Sequence, residues 1–319
     1  MISFLLLAGS LVLVIYGANI LVDGASSLAK MFNIPNIVIG LTVVAFGTSS
    51  PELAITSYSA YTGNTDIAIG NVVGSNICNI LLIIGVTSIV YPLTILKNTV
   101  LKEIPLSLLA AIVLYVMIND IKFSGGSVDS ISMGDGIILL GYMAIFVYYL
   151  VHLANTSGED EDIVILNLSK SKSILYILGG FALLIGGGKI FVDSAVELAL
   201  RFGMSQAVVG LTIVSLGTSL PELVTSVVAA LKKNSDIAVG NVVGSNIFNI
   251  FLVLGVGSII SPIPKGNITN IDFYVCILAS LALLASAFVM RKHTVTKVEG
   301  IFFVIMYIVY LSYQVHLVH

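Results

Sequence analysis

The sequence predicts an all-α polytopic membrane protein of ten transmembrane helices, built as two inverted five-helix repeats with broken helices at the core. Three observations predict it. Of 319 residues, 57% are hydrophobic and only 10% are charged, against about 25% charged in soluble domains. The apolar residues fall in runs of helix length, as the roughly 20 residues needed to cross a bilayer core require, and not in the alternating segments of a membrane barrel. Residues 38–92 align with 208–262 without a gap, with 32 identities over 55 positions, which marks a duplication.

Charged and turn-rich breaks delimit spans near 3–22, 35–60, 67–90, 99–118, 134–153, 173–200, 205–231, 237–260, 271–290 and 299–317. The first apolar run continues into GANILVDGASSLAKMF, which the second half echoes, so it reads as part of the fold and not as a cleavable leader. Residues 1–153 form the first repeat, with its motif region at 40–85, and residues 173–319 the second, with its motif region at 210–255. Between them, 154–172 is an acidic linker containing NTSGEDEDIV, which matches no EF-hand and reads as a solvated connector. Alternate loops concentrate Lys30, Lys97, Lys102, Lys170, Lys172, Lys232, Lys233, Arg291, Lys292 and Lys297 on one side, leaving Lys122, Arg201 and Lys265 on the other. The positive-inside rule then makes the linker cytoplasmic and both termini extracellular. Five spans per half is an odd number, so the second copy enters the membrane from the opposite side, as in the inverted repeats of secondary transporters. Cys78 and Cys276 both lie in apolar spans and indicate no disulfide framework.

Two repeated blocks interrupt the spans: GTSSPE at 47–52 with GTSLPE at 217–222, and GNVVGSNICN at 70–79 with GNVVGSNIFN at 240–249. Pro51 and Pro221 lack an amide hydrogen and clash with the carbonyl four residues back, freeing main-chain oxygens of Gly47 and Gly217. Such oxygens are tolerated at membrane depth only when buried in protein or lining a polar cavity. Thr48 and Glu52 are four apart and share a helix face, as do Thr218 and Glu222; Ser49 and Ser219 add hydroxyls. Ser75 with Asn79, and Ser245 with Asn249, give further oxygen pairs at the same spacing. Two carboxylates among neutral oxygens suit a hard cation such as Ca²⁺, which takes about six to eight oxygen ligands; neither block holds a histidine, which disfavours Zn²⁺ or copper. One divalent ion, or several monovalent ones, would cancel the cost of two buried carboxylates, roughly 2.5 to 3.5 kcal/mol each at the bilayer centre.

These motifs resemble the repeats of the cation/calcium exchanger superfamily, specifically its sodium/calcium exchanger branch in prokaryotic form. The resemblance covers essentially the whole chain. It implies a ten-helix antiporter of the cell membrane that exchanges Ca²⁺ for Na⁺ by alternating access, with Glu52 and Glu222 binding the ions. It also carries ligand roles onto Thr48, Ser49, Thr218 and Ser219, onto Ser75 and Ser245, and onto the main-chain oxygens of Ala45 and Ser215. Where the branch commonly has an aspartate in the second repeat, this chain has Asn249, matching Asn79 of the first. That leaves the stoichiometry and any K⁺ co-transport open.

Blander readings stand beside these. Gly70, Gly74, Gly240 and Gly244 read as small-xxx-small packing steps. Asp66 and Asp236 read as helix N-caps, Asp23 and Asp193 as capped or hydrated span ends, and Lys189 as a snorkelling side chain. A proton-driven Ca²⁺ exchanger is the alternative within transport, since desolvated carboxylates take up protons. A passive cation channel is disfavoured by inverted halves with broken helices. No nucleophile and base pair suggests an enzyme, and no cofactor, nucleic acid or protein partner is indicated; the expected ligands are Ca²⁺, Na⁺ or H⁺, with membrane lipid around them.

Overall fold

The computed structural model describes residues 2–155, 166–202, 215–289 and 293–318. Its helices are α1 (Ile2–Phe32), α2 (Asn36–Thr48), α3 (Ser50–Thr62), α4 (Asp66–Val90), α5 (Lys97–Met117), α6 (Asp120–Ser124), α7 (Met133–Asn155), α8 (Lys170–Arg201), α9 (Ser215–Thr218), α10 (Leu220–Leu231), α11 (Ser235–Ile260), α12 (Asn270–Val289) and α13 (Lys297–Val318). Among the described residues eight helices are long and apolar enough to cross a membrane, and nine if the bent pair α2 and α3 counts as one span. The expected span near 205–231 lies partly at 203–214, outside the described residues, and its remainder is α9 and the short apolar helix α10. Most of the acidic stretch 155–164 and the cations Arg291 and Lys292 also lie outside them.

Helix α1 runs ten residues beyond the expected span end at 22. The polar run that suggested an end is satisfied by side-chain partners instead. Lys232 Nζ donates to Asp23 Oδ1 at 2.6 Å and to the Asn19 carbonyl at 2.9 Å. Ser27 Oγ accepts from the Leu168 amide at 3.1 Å. Asp23 is thus ion-paired inside the fold and not a hydrated span end. Its repeat mate Asp193 is exposed.

Helices α1 and α8 pack against each other antiparallel. Cβ atoms added at Gly17 and Gly24 would meet main-chain atoms of Gly180 and Ser173 within about 3 Å, so the contacts run in opposite order along the two helices. The centre of the protein is α4 and α11. They are the most buried of the spans, with 72% and 78% of their most apolar windows inside, against 17% for α13. On α11, Gly240 sits against Ile37 and Leu41, and Gly244 against Leu41 and Ala45, with approaches of 2.8–3.0 Å to a virtual Cβ. The packing role expected of these two glycines holds there, whereas Gly70 has nothing nearer than Ile268 at 3.5 Å.

The last long helix of each half packs on the other half's core. Gly300 of α13 abuts Gly85 and Ser88 of α4, and Gly136 of α7 abuts Gly255 and Ser258 of α11. Short antiparallel strands repeat this crossing: β1 (Leu93–Thr94) pairs with β4 (Thr294–Val295), and β2 (Ser130–Ile131) with β3 (Ile263–Pro264). Asp66 belongs to the same set of ties. Its carboxylate accepts from the Asn267 amide at 3.1 Å and from Asn267 Nδ2 at 2.7 Å, so it clamps a loop of the other half and is not the cap of its own helix. In the second half Asn234 caps α11 by accepting from Ile237 N at 3.0 Å, which removes that task from Asp236.

Gly244→Val should push main chain apart at the α2 crossing and lower stability by about 1–3 kcal/mol, as overpacking does. Gly9→Ala, on an exposed face of α1 with nothing within 4 Å, should leave the thermal unfolding temperature in detergent unchanged or slightly raised. Equal melting of the two variants would contradict this account of the crossing.

Candidate functional site

The broken helices form where proline and two hydroxyls coincide. Ser49 leaves helical geometry at φ −82°, ψ 5°, and Ser219 at φ −88°, ψ 7°. Pro51 and Pro221 each stand second in the helix that restarts. Between α2 and α3 the axis turns by 46°. Because Pro51 cannot donate, the Gly47 carbonyl gets no amide from position 51, while Ser50 Oγ donates to the freed Phe46 carbonyl at 3.0 Å. A Cβ at Gly47 would meet the tip of the Phe181 ring, and one at Gly217 a methyl of Val192, so any larger residue at either turn requires those side chains to move.

This places Glu52 and Glu222 in the first turns of α3 and α10, both essentially inaccessible at 0% and 1% exposure. An acidic group in a first helical turn also meets the unsatisfied amides and positive dipole end there. Ser75 Oγ of α4 donates to Glu52 Oε1 at 3.4 Å, and Ser49 Oγ donates to Glu222 Oε1 at 3.2 Å. Thr218 lies beside Glu52, and Thr48 and Ser245 lie beside Glu222, so each carboxylate meets hydroxyls of both halves. Among the described residues no cationic side chain pairs with either glutamate.

In α4 and α11 the helical repeat widens to π turns at Cys78–Ile84 and Asn249–Leu254, a distortion frequent at functional sites. Asn79 and Asn249 sit at these turns, 1% exposed, each donating its amide nitrogen to the opposite half. Their Oδ1 atoms are left without partners, as are Glu52 Oε2, Glu222 Oε2, Ser219 Oγ and Ser245 Oγ. Buried oxygens are normally hydrogen-bonded. Six unsatisfied ones on these residues fit a ligand that supplies positive charge and no acceptors, which is a cation. Among the described residues no three His, Cys, Asp or Glu side chains cluster as a transition-metal site.

The remaining expected ligands divide. Thr48 Oγ1 lies 3.0 Å from Asn241 Oδ1 and 3.3 Å from the Ala45 carbonyl, so its single proton serves one of them. The Ala45 carbonyl also accepts from Ser49 N at 3.0 Å. Ser215 begins α9, and its side chain lies outside the described residues. A cavity of about 270 Å³ between α8, α9, α10 and the π turn of α4 reaches Ser219, with Phe191, Leu216 and Leu223 on its walls.

Sequence reasoning missed Asn71 and Asn241. Asn71 Nδ2 donates to the Glu52 carbonyl at 3.3 Å and to Thr56 Oγ1 at 3.0 Å; Asn241 Nδ2 donates to the Glu222 carbonyl at 3.3 Å and to Ser226 Oγ at 2.9 Å. They pin the restarting helices to α4 and α11 beside each glutamate. Their signal was present in GNVVGSN, identical in both halves, whose first asparagine could have been asked for a partner.

The family model for the sodium/calcium exchanger protein matches residues 2–152 and 172–316. The chain is 38% identical over 266 residues to the inner membrane protein YrbG of Escherichia coli, covering 81% of this chain and 79% of that one. It is 29% identical over 342 residues to the sodium/calcium exchanger MaX1 of Methanosarcina acetivorans, covering 97% of each. Among solved structures it is similar to the sodium-calcium exchanger NCX_Mj soaked with Na⁺ and Sr²⁺, with a TM-score of 0.83, 33% identity and 98% of each chain covered.

Asn241→Ala should remove two buried hydrogen bonds, to the Glu222 carbonyl and to Ser226 Oγ, and cost about 1–3 kcal/mol, at roughly 0.5–1.5 kcal/mol for each bond lost. Ser75→Ala, which removes one long hydrogen bond, should cost less than 1 kcal/mol by the same scale. Thermal unfolding in detergent checks both, and a reversed order would contradict the pinning role of Asn241.

Proposed function

The chain belongs to the sodium/calcium exchanger protein family, and from that premise we propose that it is a secondary active antiporter that exchanges Ca²⁺ for Na⁺ by alternating access. It is a multi-pass membrane protein, and its relatives are transporters and not enzymes. The observation that carries the proposal is the pair of buried carboxylates, each with one unpartnered oxygen, set among unpartnered serine and asparagine oxygens where two helices break.

The proposed cycle follows from charge. Glu52 and Glu222 hold either one Ca²⁺ or several Na⁺, with Ser49, Thr48, Thr218, Ser219, Ser75, Ser245, Asn79, Asn249 and the main-chain oxygens of Ala45 and Ser215 completing the shells. Only a charge-compensated site can be occluded and carried across, because two facing carboxylates without a cation are penalised by burial and mutual repulsion. Uncoupled return of the empty site is thereby hindered, which enforces exchange. In the proposed arrangement ten spans form inverted repeats, 1–153 and 173–319, with this site near the bilayer midplane. The symmetric crossings of β1 with β4 and β2 with β3, and of α13 on α4 and α7 on α11, support that arrangement. The long antiparallel pair α1 and α8 is the element we assign to sliding against the remaining core. The linker 154–172 faces the cytoplasm and the termini face outward.

Proteoliposomes loaded with Na⁺ should take up ⁴⁵Ca²⁺ when diluted into Na⁺-free buffer. Uptake driven by a pH gradient with no Na⁺ present would instead establish the proton-driven exchanger. Ca²⁺ flux with no counter-ion at all would establish a channel. Glu52→Gln and Glu222→Gln should each lower Na⁺-driven uptake at least about 100-fold, since removing one member of a compensated buried charge set costs about 3–5 kcal/mol. In ion-free detergent the same variants should melt no lower than wild type, because each removes an uncompensated buried charge. Intact uptake in either variant would exclude the roles given to these glutamates.

A further inference from the structure

Behind the two ligand asparagines, Asn76 of α4 and Asn246 of α11 face each other where the helices cross, 1% and 2% exposed. Asn76 Nδ2 donates to the main-chain carbonyl of Asn246 at 3.2 Å, and Asn246 Nδ2 donates to that of Asn76 at 3.4 Å. Asn249 Nδ2 donates to Asn76 Oδ1 at 3.1 Å, and Asn79 Nδ2 donates to Asn246 Oδ1 at 2.9 Å. The four amides close a two-fold symmetric ring of contacts across the two halves.

We propose that Asn76 and Asn246 are positioning residues that fix which atom of Asn249 and of Asn79 faces the transported cation. The inference rests on the exchange site proposed above. An asparagine side chain is ambidextrous, with an acceptor and a donor of nearly equal shape, and either can point at an ion. A main-chain carbonyl is not ambidextrous, because it only accepts. Each carbonyl therefore forces the facing asparagine, 76 or 246, to present Nδ2, which turns its Oδ1 the other way. That Oδ1 is again only an acceptor, so Asn249 and Asn79 must present their own Nδ2 to it. Their Oδ1 atoms are then turned away from the ring of amides and left unpartnered. Orientation passes from unambiguous carbonyls through two amides to the ion, because the main-chain carbonyl at the start of each path can only accept. The coupling is crosswise: Asn76 orients the ligand asparagine of the second half, and Asn246 that of the first.

Without Asn76, the amide of Asn249 can rotate and bring its NH₂ toward the cation, which repels it. Asn76→Ala and Asn246→Ala should each raise the half-saturating Ca²⁺ concentration for uptake about tenfold, the scale of one hydrogen bond exchanged for an unfavourable contact. Maximal uptake should stay within about twofold, a split that general loss of folded protein does not produce. The decisive readout is a double-mutant cycle. Adding Asn76→Ala to Asn249→Ala should change nothing further, because no amide remains to orient, and likewise Asn246→Ala on Asn79→Ala. Asn76→Ala with Asn79→Ala, neighbours on one helix, should multiply. Multiplication in the crosswise pairs, or half-saturation unchanged in both single variants, overturns the proposal. Where an alanine variant does not fold, Asn76→Leu or Asn246→Leu fills the same volume without the amide and carries the same expectation. Failure of wild-type vesicles to move Ca²⁺ with any counter-ion would defeat the exchange reading itself, whereas wild-type exchange with an additive crosswise cycle would defeat only this inference.

Discussion

Two buried carboxylates that no cationic side chain among the described residues answers set the terms for everything around them. A protein that buried such a pair for structure alone would answer it with lysine or arginine, as Asp23 is answered by Lys232 at the α1 and α10 contact. Here the answer is a shell of neutral oxygens and first-turn amides, which tolerates the charges without cancelling them. Such a shell stabilises a carboxylate enough to be held in place, and in the exchange cycle proposed above it leaves the larger electrostatic gain to an arriving ion. The helix breaks, the π turns and the glycine contacts all serve to bring that shell together. A regular helix could not aim hydroxyls at both glutamates from both halves.

The two halves are alike around the two glutamates and unlike at the edges. The asparagine contacts to Glu52 and Glu222 repeat with matched distances, as expected when one binding problem is solved twice by one motif. The ion pair of Asp23 has no second copy: its repeat mate Asp193 is exposed, and the position corresponding to Lys232 is Thr62. Two states related by exchanging the roles of the halves would have equal energy if the halves were identical. Differences of this kind are where such a balance acquires a bias.

Much of this architecture could be read from residues. The duplication is visible because the core motifs tolerate few side chains, and GTSxPE announces its own break through proline. The length of α1 was misread because polarity was taken for a span end, when Asp23 and Ser27 find partners more than 140 positions away. The cap reading of Asp66 failed for the same reason: Asn267 is a neighbour only in the folded protein. Spacing along a helix likewise paired Ser75 with Asn79 and Ser245 with Asn249 as oxygens. It could not show that the side-chain nitrogens of Asn79 and Asn249 are committed to the opposite half, because that depends on the crossing of α4 with α11. Local chemistry was legible, and partners set by tertiary contact were not.

The crossing of each half onto the other also has a consequence for biosynthesis. Helix α4 completes its packing only with α13, more than 200 residues later, and β1 waits for β4. At synthesis rates of about 5–20 residues per second, α4 passes roughly 10 to 40 seconds without α13, and Glu52 roughly 8 to 33 seconds without Thr218. The nascent half must survive that interval as a set of inserted but unassembled spans. Quality control that recognises an exposed intramembrane carboxylate would therefore find its substrate in every copy made, and would distinguish a failed chain from a young one only by how long the charge stays uncovered.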